Sequence, residues 1–249
     1  MTSRAISIVT YNRAKHIGEV VEGIFKTKPN NADVFVCDDG STDNTSQIIT
    51  KDFPQAIYLK GPNSGVVANK NRALFLMRNH HFSAIIEDDL VAVDKDWFNI
   101  YEGVAILMDV HHFCRVQNKT VPENRPGFSE YVKQKLNATP IYGLSPRGDF
   151  TFITRKVITT VGGLNTAFKG AGYAHGEWSS RVINAGLVSH PNGWIDIIEA
   201  RDRFIQVGDT EGGRWGDDQE EVKKQIRTNK RVARKLNESK YTYFPLRIT

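Results

Sequence analysis

Short apolar runs alternate with amphipathic segments along the first 90 residues. The apolar runs are brief and rich in β-branched residues, which predicts strands at 5–10, 34–37, 56–59 and 83–86. Between them, apolar positions recur at helical spacing over 17–25, 47–51 and 66–78. Strand and helix repeated in this order predict right-handed βαβ units and a mainly parallel sheet flanked by helices. The predicted fold class is therefore α/β.

The remainder of the chain has a weaker pattern. We expect loop and a short helix over 118–135, and a strand at 150–153. Four glycines within 208–216 predict a mobile loop. Apolar spacing predicts four further helices, at 97–110, 157–161, 179–185 and 217–236.

Composition limits the class of protein. The 249 residues are 40% hydrophobic and 24% charged, which is ordinary for a folded globular chain and excludes a disordered or fibrous one. No run approaches the roughly 20 apolar residues of a membrane-spanning helix, and the first residues lack the pattern of a signal peptide. Cys37 and Cys114 are too few for a disulfide framework, so we expect a cytoplasmic location.

Positive charge is concentrated at the C-terminal end. Residues 1–221 contain 24 Lys and Arg against 27 Asp and Glu, a net of −3. Residues 222–249 contain nine against one, a net of +8. We therefore expect a mildly acidic domain at 1–221, followed by a basic C-terminal helix and tail at 222–249.

Polar residues follow three of the predicted strands. They occupy positions 11–13, 38–39 and 87–89, directly after the first, second and fourth apolar runs. Ligands of parallel α/β sheets bind beyond the carboxyl ends of the strands, so these residues are expected in one crevice. Asp38 and Asp43 are interpreted as turn and helix-cap residues.

Four ordered segments carry a specific resemblance. SIVTYNR, VCDDGSTDNT, NSGVVANKNRAL and IIEDDL resemble the motifs of family-2 inverting glycosyltransferases with the GT-A (Rossmann-like) fold. The resemblance implies a nucleotide-binding half at 1–90 and an acceptor-binding half with a mobile loop at 91–221. It also implies transfer of a sugar from a nucleotide sugar, with UDP favoured, to a hydroxyl of a surface glycan or lipid-linked oligosaccharide.

The resemblance also implies contacts with the nucleotide. Asp39 would accept the N3–H of uracil through a charge-assisted hydrogen bond, and Asp88 would contact the ribose or a metal-bound water. The other implied positions are Thr10, Tyr11, Arg13, Asn63, Gly65, Lys70 and Asn71. Two alternatives stay open: Tyr11 as a packing residue and Lys70 as a solvated helix residue.

The acidic triplet at 87–89 matches the family's Asp-x-Asp (DXD) motif. Adjacent carboxylates repel one another, and a hard divalent cation would neutralise them and bridge to a diphosphate. The resemblance implies that Asp89 binds Mn²⁺ or Mg²⁺. Glu87 has no assigned role.

An inverting reaction needs a general base within reach of the acceptor hydroxyl. The family's base segment matches AHGEWSSR at Glu177, Trp178 and Arg181, but His175 stands where the family has Asp. Because histidine titrates near pH 6.5, His175 and Glu177 are equal candidates for the base. A third alternative is that His175 shapes the acceptor pocket.

Four further residues are implied to contact donor or acceptor: Asp149, Trp178, Arg214 and Trp215. Asp149 is equally a candidate turn acid. Arg214 and Trp215 resemble a loop that closes over the donor and expels water; a linker to the basic helix is the alternative.

The predicted final helix is strongly basic through Lys223, Lys224, Arg227, Lys230, Arg231, Arg234 and Lys235. A solvated helix face packed on the domain is the simplest interpretation. A peripheral membrane surface carrying a lipid-linked acceptor, a nucleic acid or an acidic polysaccharide are the alternatives over 222–235.

Other functions stay open beside the leading one. They are glycosylation of hydroxylated bases in DNA, nucleotidyl transfer, and a catalytically silent sugar- or nucleic-acid-binding module. Nucleotidyl transfer predicts a glycine-rich phosphate segment near the first strand, and Ser7–Arg13 contains no glycine. Release of nucleoside diphosphate would distinguish an enzyme from a silent module.

Overall fold

A computed structural model describes residues 2–121, 126–170, 172–188, 194–208, 219–238 and 243–246. The strands are β1 (Arg4–Thr10), β2 (Ala32–Asp38), β3 (Ile57–Lys60), β4 (Phe82–Glu87), β5 (Leu90–Ala92), β6 (His112–Val121), β7 (Pro140–Thr154), β8 (Trp194–Ile197) and β9 (Phe204–Gln206). The helices are α1 (Ile17–Thr27), α2 (Thr45–Asp52), α3 (Val66–Met77), α4 (Trp97–Met108), α5 (Phe128–Leu136), α6 (Arg155–Val161), α7 (Ala174–Asn184), α8 (Ile198–Arg201) and α9 (Gln219–Glu238).

One mixed sheet organises the chain. Its strands follow the order β3-β2-β1-β4-β7-β6, and β8 also pairs with β7. The first four strands are mutually parallel, whereas β7 runs antiparallel to β4, β6 and β8. Strands β5 and β9 form a separate two-stranded sheet. The prediction of a mixed α/β sheet flanked by helices is confirmed.

Both faces of the central sheet are buried. Along β1, Ile6 and Ile8 face a core that includes residues of α1 and α4, whereas Ala5 and Val9 face a second core that includes residues of α3, α6 and α7. A strand covered on both faces is apolar at successive positions rather than at every second one. For this reason β1, β2 and β4 could be predicted from short, mainly apolar runs in the sequence.

The structure differs from the sequence prediction between β5 and α7. The chain forms strand β6 up to Val121, where a loop was expected, and β7 begins at Pro140 rather than at residue 150. Both strands are antiparallel, and their register shifts between Cys114 and Val116 and again between Gln117 and Thr120. Such irregular strands lack the unbroken apolar run that marked the parallel ones.

The C-terminal helix packs on the domain. Val232, Ala233 and Leu236 of α9 contact the second core, and Asn229 is 1% exposed. The interpretation of α9 as a helix packed on the domain therefore holds for Val232, Ala233 and Leu236, whereas Ile226 of the same helix is 39% exposed. Across the described ranges, no helix is long and apolar enough to cross a bilayer.

Candidate active site

Three strand ends meet at one edge of the sheet. Thr10 at the end of β1 lies opposite Asp38 at the end of β2, and Val9 lies opposite Glu87 at the end of β4. The residues that follow these strands therefore emerge together, as predicted. This edge forms the floor of the candidate site.

Asp88 is held by the segment that follows β1. Its carboxylate accepts the backbone N–H of Tyr11 (3.2 Å) and pairs with Nε of Arg13 (3.2 Å). Burial raises the pKa of the Asp88 carboxyl to about 6, and the nearby Arg13 guanidinium opposes that rise. Further positive charge at this point would stabilise the ionised carboxylate. Tyr11 itself is 42% exposed, so its ring is accessible at this edge.

The two flanking acids have different partners. Glu87 forms a 2.6 Å ion pair with Nζ of Lys70, which also donates to the carbonyl oxygen of Gly148 (2.7 Å). Lys70 is 5% exposed, so the alternative of a solvated helix residue does not hold. Asp89 is 6% exposed and accepts a 3.2 Å bond from the amide of Gln206.

The donor set at this edge suits a hard divalent cation. Asp88 and Asp89 are adjacent carboxylates, and no group of three His, Cys, Asp or Glu side chains with metal-site geometry occurs in the described part of the chain. Mg²⁺ at phosphate sites is held by one or two carboxylates together with substrate phosphates, not by a complete protein cage. The residues present fit that mode of binding.

Asp39 lies at the centre of a hydrogen-bond network. Its carboxylate accepts the backbone N–H of Ser64 (3.1 Å) and of Gly65 (2.7 Å), and it pairs with Nη1 of Arg72 at 2.9 Å. Gly65 has φ of +89°, a conformation that favours glycine. A carboxylate can accept about four hydrogen bonds. These three contacts leave one acceptor position of Asp39 for a donor group of a ligand.

The other residues of the second strand end are structural. Asp38 is fully buried and accepts the Ser41 N–H at 2.8 Å, and Asp43 accepts the Thr45 N–H at 3.0 Å where α2 begins. Both agree with the interpretation as turn and cap residues.

Helix α3 brings in residues that the sequence analysis did not assign. Arg72 is 2% exposed and also donates to the Pro62 carbonyl (2.6 Å), while the Asn69 amide donates to the Cys37 carbonyl (2.9 Å). The sequence carries a signal here, because four successive polar residues at 69–72 lie in an otherwise apolar helix, and polar side chains that become buried need hydrogen-bond partners.

The predicted positions Asn63 and Asn71 lie apart from each other. Asn63 is exposed in the turn before α3. Asn71 is buried, and its amide exchanges two hydrogen bonds with the backbone of Leu164 (2.9 and 2.8 Å). Its structural role is therefore to join α3 to the loop after α6, and a nucleotide contact by Asn71 stays a prediction.

Helix α7 carries the two candidate bases. Both oxygens of Glu177 are bonded to Arg181, at 2.7 Å to Nε and 3.2 Å to Nη2. His175 is partly buried, and its Nε2 atom is enclosed and has no hydrogen-bond partner within the described part of the chain. Burial lowers the pKa of His175 well below its ordinary value, and the charge of Lys70 adds to that shift. The imidazole is thus neutral at neutral pH.

The rest of the α7 segment is packed tightly. Trp178 is 1% exposed and donates from Nε1 to the Gly162 carbonyl at 3.0 Å. Its ring lies edge-on to His175, with centroids 6.1 Å apart. Trp178 is therefore a packing residue that supports His175, and a direct ligand contact by Trp178 stays a prediction.

Gly148 joins the acidic edge to α7. A β-carbon at this position would lie 3.3 Å from Nζ of Lys70, 3.7 Å from Oε1 of Glu87 and 3.7 Å from Cβ of His175. His175 and Glu87, the last residue of β4, therefore approach Gly148 from two sides. The neighbouring Asp149 is fully buried and pairs with Arg115 (3.1 Å) and Arg147 (2.8 Å), so it is a strand residue and not a turn acid.

The pairing of Arg115 and Arg147 with Asp149 could not be predicted from the sequence. Strand β6, which carries Arg115, and the part of β7 that carries Arg147 were not predicted as strands. Arg214 and Trp215, the predicted residues of a closing loop, lie outside the described residues.

Comparison with known proteins identifies the family. The model of glycosyl transferase family 2 matches residues 5–134, more than half of the chain. The chain belongs to glycosyl transferase family 2. The match runs from β1 through most of α5 and includes the strand ends described above.

This family 2 chain resembles several curated glycosyltransferases over short segments. It is 29% identical over 93 residues to a chondroitin synthase of Pasteurella multocida, covering 36% of this chain and 10% of that one. It is 30% identical over 95 residues to the glycosyltransferase GlyG of Streptococcus pneumoniae serotype 4, covering 36% and 32%. The chain thus spans between a tenth and about a third of the length of these relatives.

Solved structures confirm the GT-A fold of this family 2 chain. GalNAc-T7, crystallised with UDP, GalNAc and Mn²⁺, superposes with a TM-score of 0.67 at 12% identity, over 94% of this chain and 48% of that one. A mannosyltransferase of Pyrobaculum calidifontis, in complex with GDP-Man and Mn²⁺, gives 0.53 at 18% identity, over 76% and 55%.

Proposed function

We propose that this chain transfers a sugar from a nucleotide sugar, UDP-linked in the first instance, to an acceptor hydroxyl with inversion at the anomeric carbon. The observation that supports this proposal is the packing around Gly148, where a β-carbon would lie 3.7 Å both from Oε1 of Glu87 at the end of β4 and from Cβ of His175. The residues proposed to bind the donor and the residue proposed to activate the acceptor are then neighbours, as a single displacement reaction requires. Two similar folds support a nucleotide-sugar donor, since one was crystallised with GDP-Man and Mn²⁺ and the other with UDP, GalNAc and Mn²⁺.

The donor is expected to lie along the three strand ends. Asp39 accepts the base N–H at its remaining acceptor position, and the exposed ring of Tyr11 offers a face on which the base can stack. Arg13, which is one-third exposed on its side chain, can turn its guanidinium toward the diphosphate. Asp88 and Asp89 would hold Mn²⁺ or Mg²⁺, which when bound stabilises the leaving diphosphate as a Lewis acid.

The acceptor side is expected to use His175 as the general base. The acceptor oxygen attacks the anomeric carbon while the bond to the diphosphate breaks, and the imidazole takes the acceptor proton. His175 is neutral, and its Nε2 has no hydrogen-bond partner among the residues that the structure describes, whereas both oxygens of Glu177 are bonded to Arg181. These contacts favour His175 over Glu177, which instead anchors Arg181.

The function is tested by release of nucleoside diphosphate from a panel of nucleotide sugars, with and without Mn²⁺. We expect metal-dependent release for at least one donor. Asp89→Asn should lower the rate by about 1,000-fold, because a carboxylate at the leaving group is lost. Asp52→Asn, an exposed acid at the end of α2, is the matched control and should change nothing. Binding without release from any donor would instead indicate a silent module.

A further inference from the structure

Helix α9 is hydrogen-bonded to the turn that precedes α7 through the buried side chain of Asn229, and the side chains of Gln225 and Ile226 lie against Gly170 and Gly172 of that turn. The Asn229 side-chain amide donates to the carbonyl oxygens of Lys169 (2.8 Å) and Gly172 (3.1 Å), and its oxygen accepts the Lys169 N–H at 3.2 Å. Asn229 is 1% exposed although its neighbours on the same helix are solvated and basic. These three bonds join a buried polar side chain of α9 to backbone atoms about 60 residues earlier in the sequence. They therefore link α9 specifically to the turn before α7.

The turn that Asn229 holds leads directly into His175. The Gly172 carbonyl that accepts from Asn229 also accepts the N–H of Ala174, the first residue of α7, at 3.0 Å. Gly172 and Tyr173 both have left-handed φ angles, +82° and +69°. Such a conformation is unfavourable for tyrosine and persists only when its surroundings fix it.

We infer that Asn229 is a positioning residue for His175, and that α9 sets the geometry of the acceptor side in addition to packing on the domain. This inference rests on the proposed role of His175 as the base. It assigns the basic C-terminal helix a part in transfer that needs no membrane or nucleic acid. Asn229 itself is 1% exposed and bonds to the backbone of the turn, so it would act on the reaction only through His175.

Two substitutions at this position test the inference in the full chain. Asn229→Ala removes the three bonds described above, and the isosteric Asn229→Asp removes the amide donors while keeping the shape. We expect both to lower kcat for transfer by about tenfold or more, because a shift of about 1 Å at a catalytic group has large effects. The KM for the nucleotide sugar should stay unchanged, since Asp39 and Asp88 lie on other elements.

Hydrogen exchange supplies a readout that does not need activity. The amides at the start of α7, residues 174–178, should exchange faster in both Asn229 variants than in the unmodified chain. Val232→Ala is the structural control, because it removes apolar packing of α9 without touching the Asn229 bonds. It should lower Tm while leaving exchange at 174–178 unchanged. Lys230→Ala, an exposed neighbour, should leave every readout unchanged.

Unchanged exchange at 174–178 in Asn229→Asp would overturn the inference, as would equal acceleration by Val232→Ala. If the unmodified chain releases no nucleoside diphosphate from any donor, the proposed function fails. The exchange experiment then still decides whether Asn229 fixes the turn, so the two failures are distinguishable.

Discussion

The proposed nucleotide half and the proposed acceptor half of the site are held in different ways. In the nucleotide half, the register of neighbouring parallel strands aligns Thr10, Asp38 and Glu87 at one edge. In the acceptor half, α7 depends on contacts from remote parts of the chain, such as the bonds of Asn229 to Lys169 and Gly172. The first arrangement follows from regular secondary structure, and the second follows from tertiary contacts.

The loop after α6 shows the same dependence on distant residues. Gly163 donates to the Phe244 carbonyl (3.0 Å), and Phe244 donates to the Val161 carbonyl (3.1 Å). Arg181 donates to the carbonyl oxygens of Val161 and Gly163 on that loop. Phe244 thus supports the loop after α6, to which α7 is bonded, although Phe244 lies about 80 residues after that loop in the sequence. Changes in the acceptor half are therefore expected to act over longer distances than changes in the nucleotide half.

The largest effect on stability is expected from the ion pair that fixes the nucleotide half. Arg72→Ala should lower the free energy of unfolding by about 3 kcal/mol, because it leaves the Asp39 carboxylate buried without its charge partner. Nucleotide binding should be lost with it. Urea denaturation measures the first effect, and calorimetric titration with UDP the second.

Arg78→Ala is the matched control for Arg72. Arg78 is exposed at the end of the same helix and bonds only within it, to the Phe75 carbonyl, among the bonds described. We expect a loss below about 1 kcal/mol. Equal losses for both arginines would show that the Asp39–Arg72 pair does not hold the nucleotide half together.

A smaller effect is expected at the exposed ring of Tyr11. Tyr11→Ala should weaken UDP binding by about tenfold, because stacking of a base on an aromatic ring contributes about 1–3 kcal/mol. Tyr131→Ala is the control, since that tyrosine on α5 is 43% exposed, about as much as Tyr11 at 42%. If the two variants bind UDP equally well, Tyr11 is a packing residue and the base lies elsewhere.

The contrast between the halves also explains what the sequence could predict. Strands β1, β2 and β4 were predicted to within a few residues, because burial on both faces produces unbroken apolar runs. Their polar ends then located the site edge. Strand β6 and the first half of β7 were not predicted, because their pairing is irregular and joins residues far apart in sequence.

Individual partners were harder to predict than positions. The sequence placed Asp39 at the site but could not show that Arg72 pairs with it. It left His175 and Glu177 as equal candidates, because the pairing of Glu177 with Arg181 and the enclosure of His175 Nε2 are properties of packing. The role of Asn229 had no signal at all, since its partners are backbone atoms 57 and 60 residues away.

The most direct test of the account separates donor binding from transfer in one variant. His175→Ala should lower kcat for transfer by about 100-fold or more, because the general base is lost. The dissociation constant for the nucleotide should remain that of the unmodified chain, since its contacts lie on the strand ends. Glu177→Gln, which disrupts the pair with Arg181, should instead lower Tm. An unchanged kcat in His175→Ala, or a loss of nucleotide binding equal to the loss of kcat, would contradict the account.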